Sequence, residues 1–256
     1  MQKPIHCNFK IERFEEYFDF YRENRLGLEI SLSGPTLDNW ESNGTLEKLQ
    51  KIKDAWNPSM SLHSPFFDFK PDSVDSAIRN LWFERTLECF RLAEFINAKT
   101  IVFHSTYNDL QMRTARRPWV ERTLEFWREA LPQLPECSKI VLENIYERTP
   151  ELLAEVIAEL NHPRVGHCFD FGHYAAWGNG CSLKDWFAYF PGKVFELHLH
   201  DNHGDEDSHM AIGEGSLNFK GLIDAIAPFR DEVIYTIEGT PRNDAISYEY
   251  IRKNFP

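Results

Sequence analysis

The chain has 256 residues and a formal net charge of −12, long enough to bury one large core without disulfide support. A basic face of the kind that displaces counterions from duplex DNA is not visible in so acidic a sequence. Five scattered cysteines with no CxxC pair argue against a disulfide scaffold and fit reduced thiols in a cytoplasmic protein, and the sequence shows neither an apolar signal core nor the roughly 20 apolar residues of a membrane span.

In chain order, the apolar runs are IHCNF from Ile5, GLEISL from Gly27, MSLHS from Met60, TIVFHS from Thr100, IVLENI from Ile140, VGHCFD from Val165, VFELHLHD from Val194 and VIYTIEG from Val233. They are dense in β-branched and aromatic residues, as fully buried parallel strands are. Helical patterns separate them, at Glu12 to Arg25, Ser73 to Asn97, Arg117 to Leu134, around Leu152 to Leu160, Phe219 to Phe229 and Ala245 to Asn254. Thr149 and Pro150 read as a capping residue and proline that open the fourth of these. Eight strands alternating with helices over this length predict a single-domain (β/α)8 TIM barrel spanning residues 1–256. Closure is favoured over an open sheet because ligand-type residues end most of the strands, and the outer strands of an open sheet lie too far apart to share a site.

Those residues are His63, His104, Glu143, Asp170, His173, His198, Asp207, His209 and Glu238. Most stand at or just past the last apolar residue of a strand, the end of a barrel where active sites are built. Imidazole and carboxylate are the donors that zinc and manganese take. A single strand histidine, such as His167 or His200, reads as a core or rim residue. Glu143, Asp170 and Glu238 resist that reading, because a carboxylate inside an apolar strand is costly to bury without a partner or a metal. Asp207 and His209 are two apart in an extended loop, so both side chains can point to one side.

The order of SLHSP, IVFHS, LEN, CFDFGH, HLHD, DSH, IGEGSLNF and IEGT resembles the endonuclease IV branch of the xylose isomerase-like barrel superfamily, which also holds sugar isomerases and epimerases. The resemblance covers nearly the whole chain. It implies up to three zinc ions. His63 and His104 would hold one, and Glu143 would bridge it to a second completed by Asp170, His198 and Glu238. His173, Asp207 and His209 would hold the third. The isomerase branch uses equivalents of Glu143, Asp170, His198 and Glu238 for one divalent ion, manganese or magnesium included, so the discriminating residues are His63, His104, Asp207 and His209. A multi-metal set suits phosphoester hydrolysis, and the expected activity is cleavage of a phosphoester or phosphodiester of a small molecule. The alternative is a sugar or sugar-phosphate isomerase or epimerase in which Glu143 and Glu238 move the proton.

An abasic-site DNA endonuclease fits less well. The chain is acidic, and SPFFDFK follows His63 where the nuclease branch carries a tyrosine and an asparagine. Arg113, Arg116 and Arg117, after the fourth strand, are candidates for holding a phosphate by forked hydrogen bonds. Phe66, Tyr107, Tyr146 and Trp177 follow strand ends and are candidates to wall a planar or sugar ring.

Overall fold

A computed structural model describes residues 5–108, 115–178 and 180–255. Within them the strands β1 (Ile5–Lys10), β2 (Gly27–Ser31), β3 (Met60–His63), β4 (Thr100–His104), β5 (Lys139–Glu143), β6 (Val165–Asp170), β7 (Val194–Leu199) and β8 (Ile234–Ile237) pair in parallel, each with the next. The pairing of β1 with β8 closes the barrel, so the predicted TIM-barrel fold is the observed one. The major helices between strands are α1 (Phe14–Asn24), α2 (Gly34–Leu37), α3 (Thr45–Trp56), α4 (Ser76–Ile96), α5 (Arg116–Ala130), α6 (Glu151–Leu160), α7 (Phe171–Ala176), α8 (Leu183–Ala188), α9 (Phe219–Ile226) and α10 (Pro241–Asn254). No helix of the described residues is long and apolar enough to cross a membrane.

Several elements differ from the sequence expectation. Helix α3 has no counterpart among the predicted helices, because its apolar positions Leu49, Ile52 and Trp56 are sparse among charged residues. Helix α10 starts four residues earlier than expected, since the Thr240 side chain accepts from the Asn243 backbone N–H and Pro241 takes the first turn. Thr149 does not cap α6. Pro150 takes the cap position there and no side chain satisfies the first turn.

Strand alternation sorts side chains into two populations. One phase, including Phe9, Leu28, Leu62, Ile101, Leu142, Phe169 and Leu197, joins the main apolar core with residues of the surrounding helices. The other phase fills the barrel, where Val102, Val141 and Cys168 form a separate small apolar cluster. The rest of that interior is polar and fully or nearly fully buried, with His6, Asn8, Glu29, Ser61, Glu196 and Thr236 in it. Barrel interiors are usually filled by bulky branched side chains. Here Thr100 Oγ1 donates to Glu196 Oε2 at 2.5 Å and Ser61 Oγ to Oε1 at 3.4 Å. Burial and the neighbouring Glu29 push the Glu196 carboxyl up to about 7. A polar floor therefore lies beneath the strand ends where the ligand-type residues stand. Registers place those ends side by side, His104 beside Glu143 and Asp170 beside His198.

The closing seam carries its own clasp. Tyr21 on α1 donates its hydroxyl to Asp244 on α10, and both residues are buried. Burial pushes the Asp244 carboxyl up to about 8, against the opposing pull of the Tyr21 hydrogen bond. Tyr21→Phe leaves that buried acid without its donor, and a loss of about 1–3 kcal/mol is expected. Urea unfolding at pH 6 should show a lower midpoint with an unchanged slope. An unchanged midpoint would show that the clasp contributes nothing.

Candidate metal centre

At the C-terminal end of the barrel, Glu143, Asp170, His198 and Glu238 each offer one ligand atom, and these atoms lie within 4.8 Å of one another. His198 Nδ1 is 3.4 Å from Glu143 Oε1 and 3.4 Å from Glu238 Oε1. Four successive strands deliver the group, with Glu143, Asp170 and His198 on β5, β6 and β7 and Glu238 directly after β8. Asp170 also caps α7 by accepting the His173 backbone N–H, which ties its carboxylate to the strand-to-helix turn.

Two further sets of donors adjoin this quartet. On one side His63 Nε2 and His104 Nε2 both lie 3.3 Å from Glu143 Oε2. On the other, His173 Nε2 and His209 Nε2 lie 3.3 and 3.1 Å from Asp207 Oδ2. The structure thus brings all nine expected residues to one end of the barrel. It adds His200, which reads in the sequence as a core or rim residue. His200 Nε2 is 3.4 Å from Asp170 Oδ1 and 3.3 Å from Asp207 Oδ1, and its ring stacks on His209 at 4.1 Å. A Cβ at position 172 would overlap the His200 ring, so Gly172 is the residue that lets α7 approach it. His209 itself has φ 45°, in the left-handed region, where a non-glycine residue is held by its surroundings. His167, by contrast, is a core residue, with Nδ1 against the Leu142 carbonyl at 2.8 Å and Nε2 facing the Trp186 indole N–H at 3.1 Å.

Three of the imidazoles, those of His63, His173 and His198, have one nitrogen pinned and the other turned to the cluster, as metal-binding histidines do. His63 Nδ1 donates to the Ser64 carbonyl at 2.9 Å and His173 Nδ1 to the Asn144 carbonyl at 3.0 Å. His198 Nε2 donates to Glu29 Oε2 at 3.2 Å, and Asn8 Nδ2 donates to the other oxygen of Glu29 at 3.1 Å. Glu29 is fully buried. It is absent from the sequence-derived set, although a carboxylate inside GLEISL carries the same signal as the one inside IVLEN. The segment after DSH is held from HLHD, since Asp201 exchanges backbone hydrogen bonds with Met210, both at 2.9 Å, and its side chain accepts the backbone N–H groups of Gly213 at 2.9 Å and Leu217 at 3.1 Å.

A divalent ion fits this donor set on the evidence of atoms left over. Asp170 Oδ2, His198 Nδ1, both ring nitrogens of His200 and Asp207 Oδ1 are buried with no hydrogen-bond partner. Buried polar atoms are rarely left so, because each costs about 1–3 kcal/mol. They converge on the quartet and on the Asp207 side, where an ion would satisfy them. The charges are also matched. Burial pulls the His63 imidazole down, but its hydrogen bond to Glu143 and the charges of Glu29, Glu143 and Glu238 outweigh this and raise it to about 9. Burial likewise lowers His209, and Asp207 and Glu238 outweigh it, giving about 9. His104 is dominated by burial and falls to about 3. Burial opposes ionisation of Glu143, yet the surrounding His104, His198 and His173 hold it well below the carboxylate range.

The expected substrate residues divide. A cavity of 340 Å³ over the cluster is lined by Phe66, Lys10, Asn8, Ser31 and Asn243 together with the candidate ligands other than Asp170 and His198. Tyr146 and Trp177 line an adjoining cavity. Tyr107 does not wall the site. It is buried against Trp119, and its hydroxyl accepts from Arg116 Nε at 3.1 Å. Arg117 is paired with Glu121 and Glu155 on the outer helix layer, where its charge is better solvated than at the mouth. Arg113 lies outside the described residues. Among the described residues, then, Arg116 and Arg117 do not line the 340 Å³ cavity, and Lys10 is the one lysine or arginine that does. Lys10 gives no such signal in the sequence, because the apolar run IHCNF ends before it and it carries no metal-ligand chemistry.

Two outcomes are expected of metal loading. Zinc uptake at pH 7 should release at least about one proton per chain, because burial of the His198 imidazole is outweighed by neighbouring acidic groups that raise it well above its ordinary value, and the metal-free His63 and His209 hold their protons until about pH 9. Apparent affinity should rise as pH is raised toward that value. Calorimetry in two buffers of different ionisation enthalpy measures the release, and proton-neutral binding would contradict the assignment. Glu29→Gln should weaken zinc binding about 10- to 100-fold in chelator competition, as loss of a carboxylate behind a ligating histidine does. An affinity within about twofold of the parent would remove Glu29 from the centre.

The model of the xylose isomerase-like TIM barrel matches residues 20–253. Uncharacterized protein MJ1311 of Methanocaldococcus jannaschii is 25% identical over 221 residues, covering 82% of this chain and 74% of that one. Among solved structures, a D-tagatose 3-epimerase-like protein superposes with a TM-score of 0.83 at 23% identity, covering 98% of this chain and 96% of its own. The TTHB071 protein from Thermus thermophilus, soaked with ZnCl2, gives 0.75 at 23% identity, with 97% and 96% covered. An L-ribulose 3-epimerase gives 0.78 at 14% identity, with 99% and 95% covered. With a closed eight-stranded barrel and a family match over nearly its whole length, this chain belongs to the xylose isomerase-like TIM barrel family.

Proposed function

We propose that the protein is a metal-dependent isomerase or epimerase acting on a sugar-type small molecule. The observation that carries this is the quartet Glu143, Asp170, His198 and Glu238, which presents two glutamates from β5 and the end of β8 to one point. The neighbours described as D-tagatose 3-epimerase-like, L-ribulose 3-epimerase and 3-keto-D-glucoside 4-epimerase support it. This reverses the order of the sequence expectation, which favours hydrolysis. Of the arginines expected to grip a phosphate, Arg116 and Arg117, the two among the described residues, are held by Tyr107 and by helix glutamates away from the cluster, and the proposal does not require a phosphate.

A divalent ion in the quartet would polarise the substrate carbonyl and acidify the neighbouring C–H bond. The residues then have separate tasks. Glu143 and Glu238 reach the reacting carbon from different strands, so one carboxylate takes the proton and the other returns one to the opposite face. His198, held by Glu29 through Nε2, turns Nδ1 to the same point, 3.4 Å from an oxygen of each. Asn8, Ser31 and Asn243 offer hydrogen bonds to hydroxyls across the cavity, and Phe66 closes one side.

A second reading, multi-metal phosphoester hydrolysis, is kept by one observation. His63 and His104 both face Glu143 Oε2 at 3.3 Å, which is more donor capacity than a single ion in the quartet needs.

The manganese- and the zinc-loaded protein should exchange a carbon-bound hydrogen of ketoses beside the carbonyl with solvent deuterium, as read by NMR. Glu143→Gln and Glu238→Gln should each slow exchange by about 10²–10⁴. Absence of exchange over a panel of ketoses, together with cleavage of bis(p-nitrophenyl) phosphate, would overturn the isomerase reading in favour of hydrolysis.

A further inference from the structure

The cavity over the cluster does not end at the ligand ring. A second cavity of 510 Å³ opens beside it, and the two share Phe66, His104, His173 and Asp207. Its sides are aromatic. Phe66 lies nearly face-on to the His104 imidazole, with centroids 4.5 Å apart and planes at 19°. Trp177 lies against the His173 imidazole at 5.4 Å and 28°. Phe67 extends the first stack, 4.6 Å from Phe66, and Tyr146 extends the second, 4.8 Å from Trp177. Two imidazoles of the cluster thus each carry an aromatic ring, and each of those rings carries another toward solvent.

The outer pair is exposed, Phe67 to 89% and Tyr146 to 45%. Most other large apolar side chains of this chain are buried in the core. Exposed aromatics clustered at a cavity mouth mark a binding surface more often than scattered ones do. The loop after β3 supplies one side, and the loops after β5 and β6 supply the other, so the slot is built on three separate strand ends. The 340 Å³ cavity alone sits at the low end of small-molecule sites, roughly 300–1,000 Å³, and suits one sugar ring. The adjoining space is larger, and besides the residues it shares and its aromatic sides it is lined by Lys70, Thr106 and Asn108. A third cavity on the other side of Phe66 shares only Lys10, Ser31 and Phe66 with the central one and contains none of the candidate ligands.

We propose that the aromatic slot is a subsite for a second ring, and that the substrate is a glycoside or a similarly ring-substituted sugar. The sugar would sit over the metal cluster and its aglycone ring between Phe66 with Phe67 and Tyr146 with Trp177. This rests on the sugar reading of the central site, but it is tested by binding and not by turnover. A stacked aromatic ring contributes about twofold to tenfold in affinity.

The zinc-loaded protein is titrated calorimetrically with phenyl β-D-glucoside and methyl β-D-glucoside. The phenyl compound should bind about tenfold more tightly than the methyl compound if both sides of the slot are used. In the double variant Phe67→Ala and Tyr146→Ala, the ratio should fall to within about twofold, with zinc content measured alongside to show an intact centre. Equal affinity for the two glucosides, failure of both to bind, or a phenyl preference that survives the substitutions would each overturn the subsite. A phenyl preference lost in the double variant, in a protein that shows no hydrogen exchange, would leave the slot standing and defeat the reaction assigned to the central site.

Discussion

Glu29, Glu143, Asp170 and Glu238 are all buried at the C-terminal half of the barrel, and everything around them answers the cost of that burial. An ion taken out of water costs several kcal/mol even after the protein relaxes, whereas the net stability of a whole domain is about 5–15 kcal/mol. Four such groups in one small volume cannot be carried without compensation. The histidines that encircle them supply part of it in the metal-free chain, with His63 and His209 raised to about 9 by their acidic neighbours. The compensation is incomplete. Buried oxygens of Asp170 and Asp207 and nitrogens of His198 and His200 remain without hydrogen bonds. A metal centre is the arrangement in which these same atoms become ligands and the cost becomes binding energy.

Barrel closure is what makes the arrangement possible. His63 on β3 and the Glu238 loop after β8 stand far apart in sequence, and in an open sheet would be far apart in space. In the closed sheet both come close to His198. The polar floor around Glu196 extends this logic below the site. It fills the barrel with hydrogen bonds where apolar packing is usual, and it sits under Glu29, whose oxygens are divided between Asn8 and His198. Position and tautomer of the His198 imidazole are thereby set from within the barrel, while the loops above remain free to shape the cavity for a substrate.

The barrel and its ring of candidate ligands are legible in the sequence because both rest on strong local signals. Strand-length apolar runs alternate with helical patterns, and a charged residue at the end of such a run is costly unless it is used. Glu143, Asp170 and Glu238 stand out for that reason, and Glu29 carries the same mark inside GLEISL. What is not legible depends on where loops go. His200 follows His198 by two residues and so shares its face of the chain, yet nothing local shows that Asp207 returns to meet it. Arg116 and Arg117 look equivalent to phosphate-binding residues in sequence, but the helix turns Arg117 onto the glutamates of its neighbour and ties Arg116 to Tyr107. The reaction itself is the least legible part, since the quartet suits proton transfer and the added histidines suit hydrolysis, and composition does not choose between them.

The central claim is that the strand-end ring is a metal centre organised on Glu143, Asp170, His198 and Glu238. Anomalous scattering from zinc-soaked crystals tests it most directly. The account predicts a strong peak about 2.0–2.2 Å from one atom of each of these four residues. A zinc-soaked crystal with no anomalous peak at the end of the barrel, or with zinc bound only elsewhere on the chain, would contradict it.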